Sequence, residues 1–307
     1  MPKKIFYLGV EGGATKSMAI LSSDDREIIL TKKGGALNYH NTGESGTKNN
    51  LSKLIFPLLK KARGEKIHAV FGFAGLDTPV DKRAYRKIVH SLMPKSSKFE
   101  LLNDANIALE ARCPGEKNRV LVISGTGATV YGESGRKRAK SIGWDHILGD
   151  EGSAYSAGVL VLKAATKSFD GRTKKSVFER LVPESMNYRS MTEFMPKFYA
   201  KLRKNEPKFF IASFAPMVND AIRKNDWAAL EIRKQVVNDL VVGVRAVASS
   251  LNFKNKEFCL GIIGSQWKMP GLLDNFKKEV KKEYKKAYFS KNNDSGAWGA
   301  VLLAKKL

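Results

Sequence analysis

Hydrophobic positions along the first third of the chain alternate between short β-type runs and longer helical stripes. Residues 5–10 form a β-branched and aromatic run, which a glycine turn separates from a second such run at residues 17–21. Short runs of this kind, bounded by glycine, predict strands. Between residues 44 and 63 leucines and isoleucines recur at helical spacing, which predicts an amphipathic helix. The start of the chain is therefore predicted to be a mixed α/β layer.

The same alternation continues to the end of the chain. Further strands are predicted at residues 27–31, 67–73, 99–102, 119–123, 128–131, 138–142, 257–263 and 287–289. Further helices are predicted at residues 79–92, 106–112, 151–168, 173–181, 190–204, 207–224, 227–252, 270–286 and 295–306. The small residues of the last helix would let it pack closely at a domain junction.

A strand, a glycine–threonine turn and a second strand occur twice, first at residues 5–21 and again at residues 119–131. We interpret this repeat as an internal duplication of one α/β unit, with both turns facing a common cleft. The expected N-terminal domain is residues 1–113 together with 294–307. Residues 114–293 would form the C-terminal domain with a helical insertion.

Length and charge narrow the class of protein. With 307 residues and 43% hydrophobic content the chain can bury a substantial core, and it contains neither a secretory signal nor a run of membrane-spanning length. The net charge of +24 could mark a nucleic-acid binder or attract anionic substrates such as nucleotides. Its lysines are scattered in pairs on predicted helix surfaces, which favours a solvated surface without dedicated nucleic-acid binding. The two cysteines, Cys113 and Cys259, lack metal-ligand spacing, so we expect reduced thiols and a cytoplasmic protein.

Two glycine–threonine turns are candidates for phosphate binding. The first has the sequence GGATK at residues 12–16, and the second has SGTG at residues 124–127. Neither is a Walker loop, because neither places Gly-Lys-Ser/Thr at the start of a helix. A tight hairpin can still offer backbone N–H groups and a threonine hydroxyl to phosphate oxygens. For the first turn alone, an ordinary glycine hairpin is an equal alternative.

Two adjacent carboxylates, Asp150 and Glu151, lie between Gly149 and Gly152 and immediately precede a predicted helix. An acidic helix start flanked by glycines can collect the hydroxyl groups of a ligand that approaches the backbone closely. Helix capping is the structural alternative for Asp150, and the two roles are compatible. Together with the two turns, this loop predicts a phosphate-handling site that faces a hydroxyl-bearing substrate.

Five motifs in this order resemble those of the actin/hexokinase-type ATPase superfamily, and within it the BadF/BadG-type ATPase and N-acetylglucosamine kinase family. The motifs are GVEGGATKS at residues 9–17, ISGTGA at 123–128, the segment 143–155 with GW and DEGSAY, GSQW at 264–267 and SGAWGA at 295–300. Residues 38–41 and 75–77 also look like archaeal broad-specificity hexokinases of this family. The resemblance implies two ribonuclease H-like α/β domains with an interdomain cleft.

The resemblance also implies a role for individual residues. Asp104 would be the base that accepts the proton of the sugar hydroxyl, with an N-cap aspartate as the structural alternative. Glu11 would contact magnesium through water. The implied sugar contacts are Asn38, Gly143, Trp144, Asp145 and Asp150. The implied nucleotide contacts are Gly12, Gly13, Thr15, Lys16, Gly125, Thr126, Gly127, Ala215, Gly264 and Ser265.

The implied activity is transfer of the γ-phosphate of ATP, with Mg²⁺, to a hydroxyl of a hexose or N-acetylhexosamine, by a homodimer without membrane contact. A kinase for a keto-deoxy sugar acid and an ATPase that acts on a protein partner stay open. The chain departs from the family pattern at Ala14, Ala128 and Asp145. Glu11 stands where many members of the superfamily have Asp, but the N-acetylglucosamine kinases share Glu. No cysteine lies in residues 149–153, which argues against the branch that binds an iron–sulfur cluster. Trp144 is expected in the core or a pocket wall, with a platform that stacks on the sugar as the alternative. Trp267 is expected beside adenine or as a buried anchor.

Overall fold

The computed structural model describes residues 4–23, 27–62, 64–204 and 206–307. The chain divides into two compact units. Unit 1 contains the residues up to Glu116 and the segment Ser290–Leu307, and unit 2 is Lys117–Phe289. The segment 290–293 belongs to unit 1 because Nη1 of Arg112 donates to the carbonyl of Asn292 at 2.6 Å and to Oδ1 of Asn293 at 2.9 Å.

The secondary-structure elements follow the predicted order, except for two short helices at residues 145–148 and 265–268 that were not predicted and the division of residues 207–224. They are β1 (Ile5–Gly12), β2 (Lys16–Ser22), β3 (Ile28–Gly35), α1 (Tyr39–Ala62), β4 (Lys66–Phe73), α2 (Pro79–Leu92), β5 (Lys98–Asn103), α3 (Asp104–Arg112), β6 (Asn118–Ser124), β7 (Ala128–Ser134), β8 (Lys137–Ser141), α4 (Asp145–Leu148), α5 (Ala154–Phe169), α6 (Phe178–Glu184), α7 (Met191–Lys204), α8 (Pro207–Ala212), α9 (Met217–Arg223), α10 (Trp227–Ser250), β9 (Phe258–Ile263), a 3-10 helix (Ser265–Lys268), α11 (Leu272–Glu283), β10 (Ala287–Phe289) and α12 (Gly296–Ala304).

Each unit contains one five-stranded mixed sheet. The strand order is β3-β2-β1-β4-β5 in unit 1 and β10-β9-β6-β7-β8 in unit 2. In both sheets the first strand pairs antiparallel with the hairpin strand that follows it, and parallel with a strand that comes later in the chain. This common topology confirms the predicted duplication and the α/β fold class.

The cores of the units are built by helices that lie against the sheets. In unit 2, α10 contributes a long stripe of buried aliphatic residues that packs against β6, β7 and β8. In unit 1, α12 packs on β1 and α3, because glycines allow backbone contact. A Cβ on Gly9 would lie 2.1 Å from the carbonyl oxygen of Ala297, and one on Gly299 would lie 2.0 Å from that of Ile107. The close packing predicted for the small-residue helix is therefore confirmed.

Two predictions are wrong. Residues 207–224 form two helices rather than one, because Pro216 has no N–H to continue the hydrogen-bond ladder of α8 and becomes the N-cap of α9. The helix predicted from residue 44 is confirmed, because a kink at Gly43, where φ is +68°, separates it from a short helical turn that begins at Tyr39. Neither Cys113 nor Cys259 is a free thiol, so the expectation of reduced cysteines fails.

Within the described ranges, no helix combines the length and the apolar character needed to cross a membrane.

Candidate functional site

The first glycine turn fastens two neighbouring loops of unit 1. The N–H of Gly13 donates to the carbonyl of Lys16 at 3.0 Å, which closes the hairpin between β1 and β2. The carbonyl of Gly12 accepts from the N–H of Ala74 at 2.8 Å, and that of Gly13 accepts from Leu37 at 3.0 Å. The side chains of Thr15 and Lys16 are exposed at the tip. The turn thus fixes the backbone from which the candidate sugar residues extend.

Asn38 lies directly against the loop that follows β4. Its Oδ1 accepts from the N–H of His40 at 3.0 Å, and a Cβ on Gly75 would lie 3.0 Å from the same oxygen. Gly75 has φ of +81°, so both its backbone conformation and this contact favour glycine. Next to it, Nδ2 of Asn103 donates to Oδ1 of Asp77 at 3.2 Å. Residues 38 and 75–77, two segments that carry the resemblance, are brought together in space.

Asp81 connects the loop that contains Asn38 with the loop that follows β4. It is the N3 residue of a capping box with Thr78 at the start of α2, and the box includes hydrogen bonds of 2.7 Å from both the N–H and the hydroxyl of Thr78. The Tyr39 hydroxyl donates to it at 2.9 Å, and Nε2 of His40 lies at 3.1 Å. Burial opposes ionisation of the carboxyl, but the hydrogen bonds from Thr78, Tyr39 and Asp77 outweigh burial and lower its pKa to about 2.

Asp104 is the first residue of α3 and is half-buried. The N-cap is Asn103, whose Oδ1 accepts from the N–H of Ala105 at 2.9 Å, so the capping alternative for Asp104 is wrong. Tyr85 donates its hydroxyl to the carbonyl of Leu37 at 3.0 Å. Burial is the main cause that raises the pKa of Tyr85 to about 12, and the charge of Asp104 adds to it. Asp104 is thus close enough to interact electrostatically with the tyrosine that holds the Asn38 loop.

Glu11, the candidate magnesium contact, lies against the start of α12. Its Oε2 accepts from the N–H of Ala297 at 3.3 Å. Within the described residues, no group of three or more His, Cys, Asp or Glu side chains is arranged to hold a metal ion. Glu11 is a single carboxylate, so it fits Mg²⁺ only as part of a nucleotide site. In such a site phosphates and water supply most of the ligands of the ion.

The second glycine turn receives the start of α5 in unit 2. The N–H of Gly125 donates to the carbonyl of Gly127 at 2.9 Å. The carbonyls of Gly125 and Thr126 accept from the N–H groups of Ala154 and Tyr155 at 2.8 and 3.2 Å. A Cβ on Gly127 would lie 2.8 Å from Oδ2 of Asp150, so the glycine of this turn is required by the acidic loop beside it.

Asp150 is buried, with 3% of the residue exposed. Its Oδ1 accepts from the N–H of Ala128 at 3.1 Å, and its Oδ2 lies 2.7 Å from Nζ of Lys208. The cap of α5 is Ser153, whose Oγ accepts from the N–H of Ser156 at 3.1 Å, so the capping role considered for Asp150 is wrong. Asp150 is therefore a fixed carboxylate beside the phosphate turn.

Asp145 shares the same lysine. Its Oδ1 lies 2.6 Å from Nζ of Lys208 and its Oδ2 lies 3.1 Å from Nδ1 of His146. The hydrogen bond from Lys208 is the main cause that lowers the pKa of Asp145 to about 2. Gly143 has φ of +71°, and Trp144 beside it is 73% exposed. The expectation that Trp144 lies in the core is wrong.

A cavity of about 400 Å³ opens beside the second turn. Its lining residues are Thr126, Ala154, Phe209, Ala212, Ser213, Ala215, Pro216, Asn219, Ser265, Gln266 and Lys268. Thr126, Ala215 and Ser265 were proposed as nucleotide contacts from the sequence, and all three lie on this wall. Gly264 is not part of the lining, but it supports the turn, since a Cβ there would lie 2.0 Å from the carbonyl oxygen of Ser124.

Gln266 is a polar group of this wall that the sequence did not single out. The residue is 7% exposed, and within the described part of the chain its Nε2 has no hydrogen-bond partner. A buried polar atom of this kind is satisfied by an ordered water or by a bound ligand. Trp267 faces away from the lining: its Nε1 donates to the carbonyl of Ile263 at 3.0 Å and its ring packs on Phe276, which makes it an anchor.

Lys208 and Asp81 were also not identified as site residues from the sequence. A signal for Asp81 was present, because Thr78 three residues before it is typical of a capping box. No local signal marks Lys208, which meets Asp150 only through tertiary packing.

Comparisons with known proteins show which family the chain belongs to. The model of the BadF/BadG/BcrA/BcrD ATPase family matches residues 8–304. The chain is 32% identical to the N-acetylmuramic acid/N-acetylglucosamine kinase of Clostridium acetobutylicum, over 98% of each chain. It is 25% identical to the N-acetyl-D-glucosamine kinase of Dictyostelium discoideum, over 99% of this chain and 98% of the relative.

Among solved structures, a provisionally named N-acetylglucosamine kinase from Chromobacterium violaceum matches with a TM-score of 0.74 at 18% identity, over 99% of both chains. A ROK family glucokinase from Streptomyces griseus, in complex with glucose and AMPPNP, matches with a TM-score of 0.53 at 16% identity, over 98% of both chains. At these identities the structural likeness concerns the fold. The family match over most of the chain shows that this protein belongs to the BadF/BadG/BcrA/BcrD ATPase family.

Proposed function

We propose that this protein is an ATP-dependent, Mg²⁺-assisted kinase that phosphorylates a hydroxyl of an N-acetylated amino sugar, N-acetylglucosamine or N-acetylmuramic acid. The observation that carries the proposal is the cavity beside the second glycine turn, lined by Thr126, Ala215 and Ser265, with the buried Asp150 next to the same turn. The full-length similarity to two kinases named for these sugars supports the substrate class.

In this proposal the nucleotide occupies the cavity of unit 2. Adenosine lies between Ala215 and Ser265, and the phosphates extend toward Thr126. Lys268 at the rim attracts the phosphate charge, and Gln266 donates its unsatisfied N–H to the base or ribose. Bound Mg²⁺ would supply charge neutralisation for phosphoryl transfer, with Glu11 as its carboxylate contact through water.

Asp104 accepts the proton of the reacting sugar hydroxyl. A carboxylate at the start of α3 is held on a rigid element, which favours accurate proton transfer. Asn38, Gly143, Trp144 and Asp145 contact the sugar from the loops. Asp150 has used two of its roughly four lone-pair positions on Ala128 and Lys208, which leaves acceptor capacity for sugar hydroxyls.

A coupled assay of ADP release tests this function. The purified protein is given ATP and Mg²⁺ with N-acetylglucosamine, N-acetylmuramic acid, glucosamine, glucose or a keto-deoxy sugar acid, and each reaction is repeated with EDTA. We expect one of the N-acetylated sugars to give a kcat/KM at least about tenfold above glucose, and EDTA to abolish turnover. Turnover confined to the sugar acid, or ATP hydrolysis that no sugar accelerates, would support the alternative activities instead.

A homodimer and a cytoplasmic location complete the proposal. Size-exclusion chromatography with light scattering should give twice the mass of the 34.0 kDa chain. A monomeric mass would reject the dimer without affecting the proposed reaction.

A further inference from the structure

Lys208 belongs to none of the motifs that carry the family resemblance, yet its ammonium group lies between two carboxylates of the candidate sugar loop. We propose that Lys208 is a positioning residue that fixes Asp150 for sugar binding, and that its helix α8 couples the sugar loop to the nucleotide cavity. The inference rests on the proposed kinase function and extends it to a residue that no motif marks.

The two carboxylates differ in their need for the lysine. The Asp150 side chain is 4% exposed, whereas that of Asp145 is 65% exposed. A buried carboxylate stays charged only with a partner, whereas an exposed one is solvated by water. Lys208 therefore supplies the positive partner of the buried Asp150, and it also donates to the exposed Asp145 at 2.6 Å.

The lysine also sets the direction of the Asp150 carboxylate. One oxygen is held by the backbone N–H of Ala128 at 3.1 Å and the other by Nζ of Lys208 at 2.7 Å. The hydrogen bond from Ala128 and the ion pair with Lys208 restrict the orientation of the carboxylate, and within the described residues Oδ2 still has no hydrogen-bond donor. Hydroxyl recognition depends on this kind of fixed acceptor geometry.

The backbone that carries Lys208 also forms the wall of the cavity. Phe209 and Ala212 of α8 line it, while the residue just before them holds Asp150. α8 lies against α5 so closely that a Cβ on Gly158 would be 2.1 Å from the carbonyl oxygen of Ile211. The first residues of α5 in turn bind the phosphate turn. A nucleotide that settles against Phe209 must therefore bias the same short helix that positions Lys208.

Such a bias acts in both directions, because coupling between two binding sites is reciprocal. We expect a nucleotide analogue to strengthen sugar binding in the wild type, and Lys208 to transmit the effect. The change K208M keeps an unbranched side chain but removes the charge. K208R keeps the charge and its donors.

Isothermal titration calorimetry measures the sugar Kd for each variant, with and without a non-hydrolysable ATP analogue. We expect K208M to weaken sugar binding by about tenfold or more and to remove the effect of the analogue on sugar affinity. Its Kd for the analogue alone should stay within about twofold of the wild type. K208R should recover most of the sugar affinity, which a purely structural role in packing α8 would not predict.

One control completes the design. K282M removes a lysine from an exposed ion pair with Glu279 on α11 and should leave every Kd unchanged. If K208M does not fold, K208Q, which keeps a donor without the charge, takes its place and should bind sugar more weakly than K208R.

Each outcome bears on one statement. If the wild type binds neither N-acetylglucosamine nor N-acetylmuramic acid, the proposed function fails. If the wild type binds sugar and K208M binds it with the same affinity, only the positioning role is overturned. Sugar binding by K208R that is as weak as that of K208M would also overturn it.

Discussion

Replacing Asp81 by asparagine should destabilise unit 1 by an amount that depends on pH in a defined way. The carboxylate accepts hydrogen bonds from the N–H and hydroxyl of Thr78 and from the Tyr39 hydroxyl, and these bonds hold α2 to the Asn38 loop. Asparagine keeps the size of the side chain but removes the charge. It also offers an NH₂ group in place of one acceptor oxygen.

The magnitude follows from the pKa of Asp81. That pKa falls from 3.8 to about 2, a decrease of about 2 units, and each unit corresponds to about 1.4 kcal/mol. The ionised form therefore contributes roughly 2.5 kcal/mol to the free energy of unfolding near neutral pH. Charge-assisted hydrogen bonds in folded proteins are worth about 1.5–3 kcal/mol, which agrees with this value.

The sign of the pH dependence follows from the lowered pKa. A carboxyl whose folded pKa is below its unfolded value contributes stability that is complete above the unfolded pKa of 3.8. That stability is lost as the pH falls through the folded pKa of about 2. The Asp81→Asn variant lacks this titration, so the difference between the two proteins should shrink as the solution is acidified.

Urea unfolding followed by circular dichroism, at several pH values between 7 and 2, measures this difference. The variant should be about 2.5 kcal/mol less stable at pH 7 and approach the wild type near pH 2. Asp220→Asn, which breaks an exposed pair with Arg223, is the control and should cost less than about 0.5 kcal/mol at every pH. A difference between Asp81→Asn and the wild type that stays constant with pH would refute the electrostatic reasoning.

Two further substitutions test the proposed active site. Asp104→Asn should lower kcat by about 10²–10⁴-fold, because a general base is lost. The Kd for an ATP analogue and the melting temperature should stay nearly unchanged. Near-normal turnover on the preferred sugar would contradict the role of Asp104. Gln266→Leu removes the unsatisfied Nε2 from the cavity wall, so calorimetry should show binding of the analogue weakened by about fivefold or more. Thermal unfolding should show no loss of stability. Unchanged affinity would show that Nε2 does not contact the nucleotide.

The repeated strand–turn–strand pattern was sufficient to predict the two α/β units, because strand periodicity and glycine turns are local properties of the chain. The small residues of α12 likewise indicated close packing, since only short side chains allow backbones to approach. The motifs indicated which segments belong to the site. Thr126, Ala215 and Ser265 do share one cavity wall.

The partners of individual side chains were decided by the tertiary structure. Asp104 and Asp150 both looked like possible helix caps, but Asn103 and Ser153 occupy the cap positions. Lys208 lies far along the chain from Asp150, in a helical insertion without a motif. Only the packing of α8 on α5 brings its charge to the buried carboxylate. Hydrophobic periodicity places helices and strands, whereas ion pairs and exposed residues depend on which surfaces meet after folding.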